Sequence, residues 1–231
     1  MQLTPICTMD TYDHEKEKDI YICLWAQSAL YLETIFTESI QSIANQYEKD
    51  KKNPSKIVLP KFSKMHIFTL HETFRFGEEL ASVLAHYVYS PEFKGNPNIQ
   101  TEIIVINAPH SQNKDKTSPD ECKSIKDYLK KHTDINDFAI LTPYKNQRAL
   151  FTRSFSWDNA LTIHSSQGQE WETVFISVVA TTAHGFLKPR LINTAVSRAQ
   201  KKLILVCDAN YWSGCKEHII GGLVDIAKPA M

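Results

Sequence analysis

The amino-acid sequence predicts an α/β protein built on a doubly wound, mainly parallel β-sheet. From His66 onward, short runs of β-branched and apolar residues alternate strictly with stretches of helical pattern. Such alternation is typical of parallel strands joined by crossover helices that cover both faces of a sheet. The sequence contains no internal repeat. Ligands of such sheets usually bind beyond the carboxyl ends of the strands, so the residues that follow each run are the first candidates for function.

The elements of this region follow one another in a regular order. The runs with strand composition are residues 66–70, 102–107, 138–142, 160–164, 173–180 and 202–207. The stretches with helical composition between or after them are residues 78–89, 119–132, 145–153 and 190–200. In the last stretch, the spacing of Leu191, Ala195 and Ala199 predicts one helical face packed on the sheet.

The first 65 residues lack the alternation of strand and helix patterns and are predicted to form a connector and helical arm. After a charged stretch at 10–19, apolar residues recur at spacings of three and four and define one helical stripe, formed by Leu32, Phe36, Ile40, Ile43 and Tyr47. The segment 49–55 then ends that helix. The predicted division is therefore a connector at 1–65 and an α/β domain at 66–231.

Charge and cysteine usage limit the class of protein. Lysine plus arginine and aspartate plus glutamate each total 26, so any nucleic-acid surface has to be local. The five cysteines are widely spaced and contain no C-x-x-C pair, which argues against a disulfide framework and a zinc ribbon and favours a reducing, cytoplasmic setting. No apolar run is long enough to span a bilayer, and no signal core opens the sequence, so no membrane partner is expected.

The first informative motif follows the predicted strand at 160–164. Its pattern is T-x-H-x-x-Q-G-x-E, with Thr162, His164, Gln167, Gly168 and Glu170 at the defined positions. Taken alone, it fits an ordinary polar loop equally well, although Gly168 lets the backbone approach a ligand closely. The pattern resembles motif V of superfamily 1 helicases. The resemblance implies that Thr162 and His164 contact the nucleic-acid backbone, and that Gln167, Gly168 and Glu170 belong to the nucleotide side.

The second motif contains Arg198 near the end of a predicted helix. A planar, permanently charged guanidinium suits bidentate contact with a phosphate, although a surface or ion-paired arginine is the default interpretation. The pattern N-x-A-x-S-R-A-x-x-x-L resembles motif VI of the same superfamily, and it follows motif V in the expected order. The resemblance implies that Arg198 reaches the γ-phosphate bound on another RecA-like domain.

A third stretch, at residues 70–80, resembles motif IV, in which an aromatic-arginine pair serves the nucleotide. Here Phe74 is expected to stack near the base, and Arg75 to supply a second cation for the phosphates. The sequence has Glu72-Thr73 where relatives often carry glutamine, which puts contacts to the base in doubt. The role of Arg75 does not depend on that position.

Two shorter matches complete the pattern. Residues 142–147 resemble the T-P-Y-x-x-Q segment that lies between motifs IV and V. Thr142 is predicted to cap a helix whose amino end suits a phosphate and to contact a phosphate of the nucleic-acid strand, and Tyr144 or Arg148 to support that strand. Residues 1–6 resemble the end of motif III, so Gln2 is expected to couple γ-phosphate sensing to strand contacts.

The phosphate-cradling motif itself is missing from this sequence. There is no G-x-x-x-x-G-K-[ST], and Asp120-Glu121 follows a polar Ser-Pro rather than a buried strand. These two carboxylates are instead predicted to provide favourable charge in the first turn of a helix. ATP and Mg²⁺ are therefore expected to be held mainly by a first RecA-like domain elsewhere in the protein, and no metal site is predicted here.

The sequence is thus identified as resembling the second RecA-like domain of a superfamily 1 helicase, a P-loop NTPase fold without its own P-loop. Its expected partners are single-stranded DNA or RNA and the first RecA-like domain. The motif details are similar to those of the 5′-to-3′ branch that includes the nonsense-mediated-decay helicase. Two alternatives stay open: a non-catalytic RecA-like interaction module, and a doubly wound small-molecule enzyme, although the latter's glycine-rich fingerprint is absent.

Overall fold

A parallel β-sheet forms the centre of the fold. The computed structural model describes residues 71–109, 115–155, 157–180 and 186–230, and all of them lie within the compact unit formed by residues 70–231. In that part of the chain the strands are β1 (Glu102–Asn107), β2 (Phe138–Thr142), β3 (Ala160–Thr162), β4 (Trp171–Ser177), β5 (Ala199–Cys207) and β6 (Lys228–Pro229). They lie in the order β3-β2-β4-β5-β1-β6, and each neighbouring pair is parallel. The predicted sheet is confirmed.

Two apolar layers cover the sheet because successive strand residues point to opposite faces. One core cluster contains Ile103, Leu141, Val174, Ile176, Leu203 and Leu205. The other contains Ile104, Ile140, Phe175, Ile204 and Val206. Strands that are apolar on both sides need helices on both faces, so the two clusters account for the doubly wound architecture.

The described helices are α1 (Glu78–Tyr87), α2 (Pro119–Lys131), α3 (Lys145–Phe155), α4 (Pro189–Val196), α5 (Ala209–Ser213) and α6 (Ile219–Ile226), with a 3₁₀ turn at His164–Ser166. Apolar residues of α1, α4, α5 and α6 pack in the first core cluster, where Trp212 is fully buried. Cys122 and Ile125 of α2 and Phe151 of α3 pack in the second. Each helix therefore covers one face of the sheet.

The structure corrects one detail of the helix before β5. Leu191 and Ala195 pack in the core as predicted, but α4 ends at Val196, and Ala199 is the first residue of β5. The Ser197 amide bonds to the carbonyl of Asn193, and the Arg198 amide to that of Ala195, which completes the last turn. Arg198 consequently lies in the short link between a helix and a buried strand.

The predicted strand at 66–70 and the connector at 1–65 lie outside the described residues, as does Gln2. Asp120 and Glu121 do lie in the first turn of α2, where the Ser118 hydroxyl accepts a hydrogen bond from the Glu121 amide at 3.2 Å. This cap satisfies one of the free amides at the helix start. The structure also contains α5, α6 and β6, which the sequence patterns did not predict.

Candidate nucleotide and nucleic-acid sites

The predicted site residues divide between the two opposite edges of the sheet. Glu170 immediately precedes β4 and Arg198 immediately precedes β5, so both lie at the amino edge. Thr142 and Thr162 end β2 and β3 at the carboxyl edge. A strand of seven residues such as β4 spans roughly 20 Å. The residues that follow the strands were the first candidates for function, and Glu170 and Arg198 lie instead at the edge where strands begin.

An ion pair joins two predicted residues at the amino edge. The Nη2 atom of Arg75 lies 2.5 Å from Oε1 of Glu170, and both side chains are about one-third exposed. The Nε2 atom of Gln200 donates to Oε2 of Glu170 at 3.3 Å. Both carboxylate oxygens of Glu170 are thus engaged, and motifs IV and V meet through side chains.

Arg198 lies beside this pair and is held by two backbone carbonyls. Its Nε donates to Thr194 O at 3.0 Å and its Nη1 to Gln169 O at 3.0 Å. The residue is only 4% exposed. Within the described part of the chain, its Nη2 has no hydrogen-bond partner. The buried guanidinium is therefore fixed in orientation while part of its donor capacity stays unused.

Electrostatics make this cluster receptive to an anion. Burial lowers the pKa of Arg198, and the neighbouring Arg75 lowers it further, whereas Glu170 and Tyr89 act in the opposite direction. Arg75 pairs with the Glu170 carboxylate, whereas Arg198 bonds neutral backbone carbonyls, so the two guanidiniums and one carboxylate leave a net positive charge. An added negative group would relieve the repulsion between the arginines and supply acceptors for their free donors. We call Phe74, Arg75, Glu170 and Arg198 the amino-edge cluster.

Tyr89 lies near Arg75 and Arg198 but was not predicted from the sequence. The Nδ2 atom of Asn193 donates to the Tyr89 hydroxyl at 2.8 Å, and this bond joins the segment after α1 to α4. Burial raises the pKa of Tyr89, while Asn193, Arg75 and Arg198 act against that rise. The Oδ1 atom of Asn193 is buried without a hydrogen-bond partner among the described residues. No local pattern marks Tyr89, which reaches the arginines only through tertiary packing.

A cleft of about 440 Å³ opens beside the amino-edge cluster. Its lining comprises Phe74, Arg75, Asn98, Ile99, Gln100, Glu170, Gln200 and Lys201. The Phe74 side chain is 80% exposed. Gly168 has a φ of +83°, and no atom lies within 4 Å of the position that a Cβ would take there. Gly168 therefore serves backbone conformation in an open loop, and the exposed Gln167 precedes it.

The motif V residues at the carboxyl edge form a compact hydroxyl-rich turn. The Thr162 hydroxyl lies 2.9 Å from that of Ser165 and accepts a hydrogen bond from the Ser165 amide at 3.3 Å. His164 opens the 3₁₀ turn and is half-buried. These groups lie at the sheet surface and can donate to or accept from a ligand.

Thr142 and Tyr144 differ in what they present to solvent. Thr142 is fully buried, and its hydroxyl accepts a hydrogen bond from the Tyr144 amide at 3.4 Å, three residues before α3 begins. Thr142 therefore shapes the loop from within. Tyr144 is half-buried, and burial raises the pKa of its phenol.

Aromatic and basic side chains extend this edge. The ring of Phe186 stacks on Tyr144 with centroids 5.7 Å apart, and it lies 6.3 Å from the His164 ring. The ammonium of Lys116 lies over the Tyr144 ring, 5.7 Å from its centroid. We call Lys116, Tyr144, Thr162, His164 and Phe186 the carboxyl-edge cluster. Phe186 and Lys116 belong to no motif, so sequence reasoning did not find them.

A buried polar network anchors the segment that carries Tyr144. The side chain of Gln147 accepts from the Ser118 amide at 2.8 Å and donates to Ser118 O at 3.1 Å and to the Ser177 hydroxyl at 3.0 Å. Ser177 in turn donates to Oε2 of Glu121 at 2.6 Å, and the Val179 amide donates to Oε1 at 2.9 Å. The glutamine of T-P-Y-x-x-Q thus ties α3 to α2 and β4.

One protein family matches most of the chain. The chain matches the AAA-domain family AAA_12 over residues 22–210, and it belongs to that family. Its domain is of the superfamily 1 helicase type.

Two curated relatives match parts of the chain. An uncharacterised ATP-dependent helicase of Methanocaldococcus jannaschii is 34% identical over 116 residues, which is 46% of this chain and 18% of the relative. The 3′-5′ exoribonuclease HELZ2 of Mus musculus is 26% identical over 132 residues, or 46% of this chain and 4% of the relative. The chain thus spans less than a fifth of the length of either relative.

Solved helicase structures are also similar. An arterivirus nonstructural protein 10 (helicase) in complex with DNA has a TM-score of 0.40 and 16% identity, covering 69% of this chain and 29% of its own. The C-terminal domain of a possible DNA helicase from Lactobacillus plantarum WCFS1 has a TM-score of 0.40 and 13% identity, covering 58% of this chain and 87% of its own.

Neither a membrane-spanning helix nor a metal-binding group of side chains occurs in residues 71–109, 115–155, 157–180 and 186–230. No helix in these ranges is long and apolar enough to cross a membrane. In the same ranges, no group of three or more His, Cys, Asp or Glu side chains is arranged to hold a metal ion.

Proposed function

We propose that this chain is the second half of an ATP-dependent helicase and works in a longer protein with a first RecA-like domain. The amino-edge cluster faces ATP held mainly by that domain, and the carboxyl-edge cluster forms part of the channel for single-stranded DNA or RNA. The observation that supports the proposal is the separation of the two clusters, since two guanidiniums lie where β4 and β5 begin while a hydroxyl-aromatic surface follows β2 and β3, at the opposite edge of the same sheet.

The residues of the amino-edge cluster fit a phosphate better than a metal ion. Arg75 and Arg198 provide two guanidiniums against the single carboxylate of Glu170. Mg²⁺ prefers several oxygen ligands, so in this proposal the other domain holds both Mg²⁺ and most of the nucleotide. Bound ATP supplies the phosphoryl group whose transfer drives the cycle. Phe74, Gln167, Gly168 and Glu170 complete the nucleotide-facing surface in this scheme.

Arg198 is the group best prepared to stabilise developing charge. In phosphoryl transfer, negative charge spreads over the equatorial oxygens, and a donor that is already oriented needs little reorganisation. Two carbonyls fix the Arg198 guanidinium, and its Nη2 is left for a phosphate oxygen. Arg75 must exchange part of its contact with Glu170 for the phosphate. That exchange makes closure of the cleft depend on the charge of the bound phosphate. Gln2 is proposed to sense the same phosphate.

We also propose a reducing, cytoplasmic setting. Cys122, Cys207 and Cys215 are free thiols. Burial, chiefly, raises the pKa of Cys122 to about 12 and that of Cys207 further still. Thiols of this kind are packing residues with little thiolate at neutral pH.

The chain by itself is expected to show no ATPase that single strands stimulate. The reason is that its 231 residues contain no P-loop to hold the phosphates. Phosphate release with and without single strands, at high protein concentration, is the measurement. Stimulated turnover that Arg198→Ala abolishes would show that this half carries a complete site.

The chain is expected to bind single strands weakly and in a salt-dependent way. Two or three phosphate contacts give a slope of log K against log salt of about −1.4 to −2.1, because each contact on a single strand contributes roughly −0.7. His164→Ala should lower the affinity about fivefold, as expected for one lost hydrogen bond of ~1 kcal/mol. Fluorescence anisotropy of a labelled 12-nucleotide strand measures both effects.

The matched control for that experiment is His86→Ala, on the exposed surface of α1, which should leave the affinity unchanged. A preference for duplex, or binding that salt does not weaken, would favour an interaction module without a strand channel.

A further inference from the structure

Phe186 presents an apolar ring to solvent just after a segment that follows β4. Among the described residues the exposed large apolar side chains are Phe74, Phe186 and Ile226, and Phe186 is 47% exposed. Leu187, its neighbour, is buried at 2% exposure, and Leu187 O lies 2.8 Å from Nε2 of His218. The buried Leu187 therefore anchors the backbone next to Phe186, so the exposed ring is attached to a fixed part of the chain.

Other rings support Phe186 from within the protein. Tyr144 stacks on it with an interplanar angle of 25° and centroids 5.7 Å apart, and His164 lies tilted at 46° beside it. Tyr144 is itself held by the loop that Thr142 and Gln147 shape. An aromatic ring backed on one side and half exposed offers a ready π surface at little cost in side-chain entropy.

A cation lies over the Tyr144 ring, the ring on which Phe186 stacks, and its segment has an unusual backbone. Lys116 has a φ of +63°, a left-handed conformation that is uncommon for a residue other than glycine. The Asp115 carboxylate accepts from the Thr117 amide at 3.2 Å and from the Thr117 hydroxyl at 2.6 Å, and Asn146 donates to Asp115 O at 2.7 Å. These bonds hold the conformation that places the Lys116 ammonium over Tyr144.

We propose that Phe186 is a stacking platform for one unpaired base of a single strand, with Lys116 taking the phosphate beside it. The inference rests on the proposed single-strand function and makes it more specific. An exposed π surface and a cation that contact the same tyrosine ring match the face of a base and its charged backbone. Bases in a duplex are stacked on one another and expose only their edges, so the ligand class is single-stranded nucleic acid, read with little sequence preference.

The test compares a dT₁₂ strand with a 12-nucleotide abasic strand of the same charge, using the whole chain and fluorescence anisotropy. Phe186→Ala should weaken binding to dT₁₂ about tenfold, because stacking of one base on an aromatic ring is worth roughly 5- to 150-fold. The same substitution should leave abasic binding within twofold. Lys116→Ala should weaken both strands alike and reduce the salt slope by about 0.7.

Three further variants make the outcome specific to the ring. Phe186→Trp should keep dT₁₂ affinity within about threefold, whereas Phe186→Leu, which keeps apolar bulk without a π face, should behave like Phe186→Ala. Ile226→Ala removes an apolar side chain of matched exposure, 46%, at the end of α6 and should change nothing. Circular dichroism confirms that each variant is folded.

The possible failures can be told apart. If the wild-type chain binds both strands equally, or Phe186→Ala lowers both affinities equally, base stacking is wrong while the strand channel stands. If Phe186→Leu retains full affinity, the ring is an apolar contact for another kind of partner. If the wild-type chain binds neither strand, the proposed function and this inference fail together.

Discussion

In the full-length protein that contains this chain, Arg198→Lys is expected to lower kcat for ATP by at least a hundredfold at saturating single strand. Arginines that reach a transferring phosphoryl group are worth about 10³–10⁵ in rate. Lysine keeps the charge and has three donors, but all three lie on one nitrogen and do not reproduce the planar fork that reaches Thr194 O, Gln169 O and a phosphate. Steady-state phosphate release measures the effect.

The same variant should keep its fold and its affinity for single strands in the absence of nucleotide, because Arg198 lies at the opposite edge of the sheet from the strand-contacting residues. Losing one bond to a buried carbonyl costs about 1–3 kcal/mol of stability, so a thermal melt is a necessary control. Turnover within about threefold of wild type, under 1 kcal/mol of barrier change, would return Arg198 to a purely structural role.

Glu121→Ala is expected to destabilise the domain by about 3–5 kcal/mol. The substitution leaves the Ser177 hydroxyl and the Val179 amide without their acceptor, and both residues are fully buried. Each orphaned donor costs about 1–3 kcal/mol, and the cavity left by the missing side chain adds to the loss. Val179 also has a φ of +63°, which the bond to Glu121 helps to hold. Urea denaturation followed by circular dichroism gives the free energy of unfolding.

Asp120→Ala is the matched control, since Asp120 is exposed in the same helical turn. Favourable charge near a helix amino end contributes about 0.3–1 kcal/mol, and the control should lose no more than that. Equal effects of the two substitutions would mean that Glu121 acts only through the helix dipole, as the sequence alone predicts.

The order of strands and helices was predictable because each buried strand carries an uninterrupted apolar run. Strand β1 has the predicted boundaries, and β2 does as well. The end of α4 was not predictable, because the spacing of Leu191, Ala195 and Ala199 continues through a turn where the chain enters β5. In the structure Ala199 pairs with Trp171 of β4 and does not continue the helix. The spacing of apolar residues along the sequence cannot show this pairing.

Residues of the candidate site were predictable only where they belong to a recognisable sequence motif. The pairing of Arg75 with Glu170 agrees with their assignment to one surface, and their catalytic roles stay predictions. Tyr89, Lys116 and Phe186 are separate residues whose positions become meaningful only when distant segments pack together. Glu121 looked like a surface charge, because a carboxylate in a first turn is usually exposed, and only the tertiary fold supplies Ser177 and the Val179 amide as partners.

The contact that we propose between Arg198 and the transferring phosphoryl group crosses a domain cleft. Its most direct test is calorimetric titration of the full-length protein, bound to a single strand, with Mg²⁺·ADP·aluminium fluoride, which mimics the transition state. Wild type should bind this complex at least about 100-fold more tightly than Arg198→Lys, while Mg²⁺·ADP alone binds both proteins equally, because only the transition-state mimic engages the guanidinium. Equal affinity of the two proteins for the aluminium fluoride complex would contradict the account.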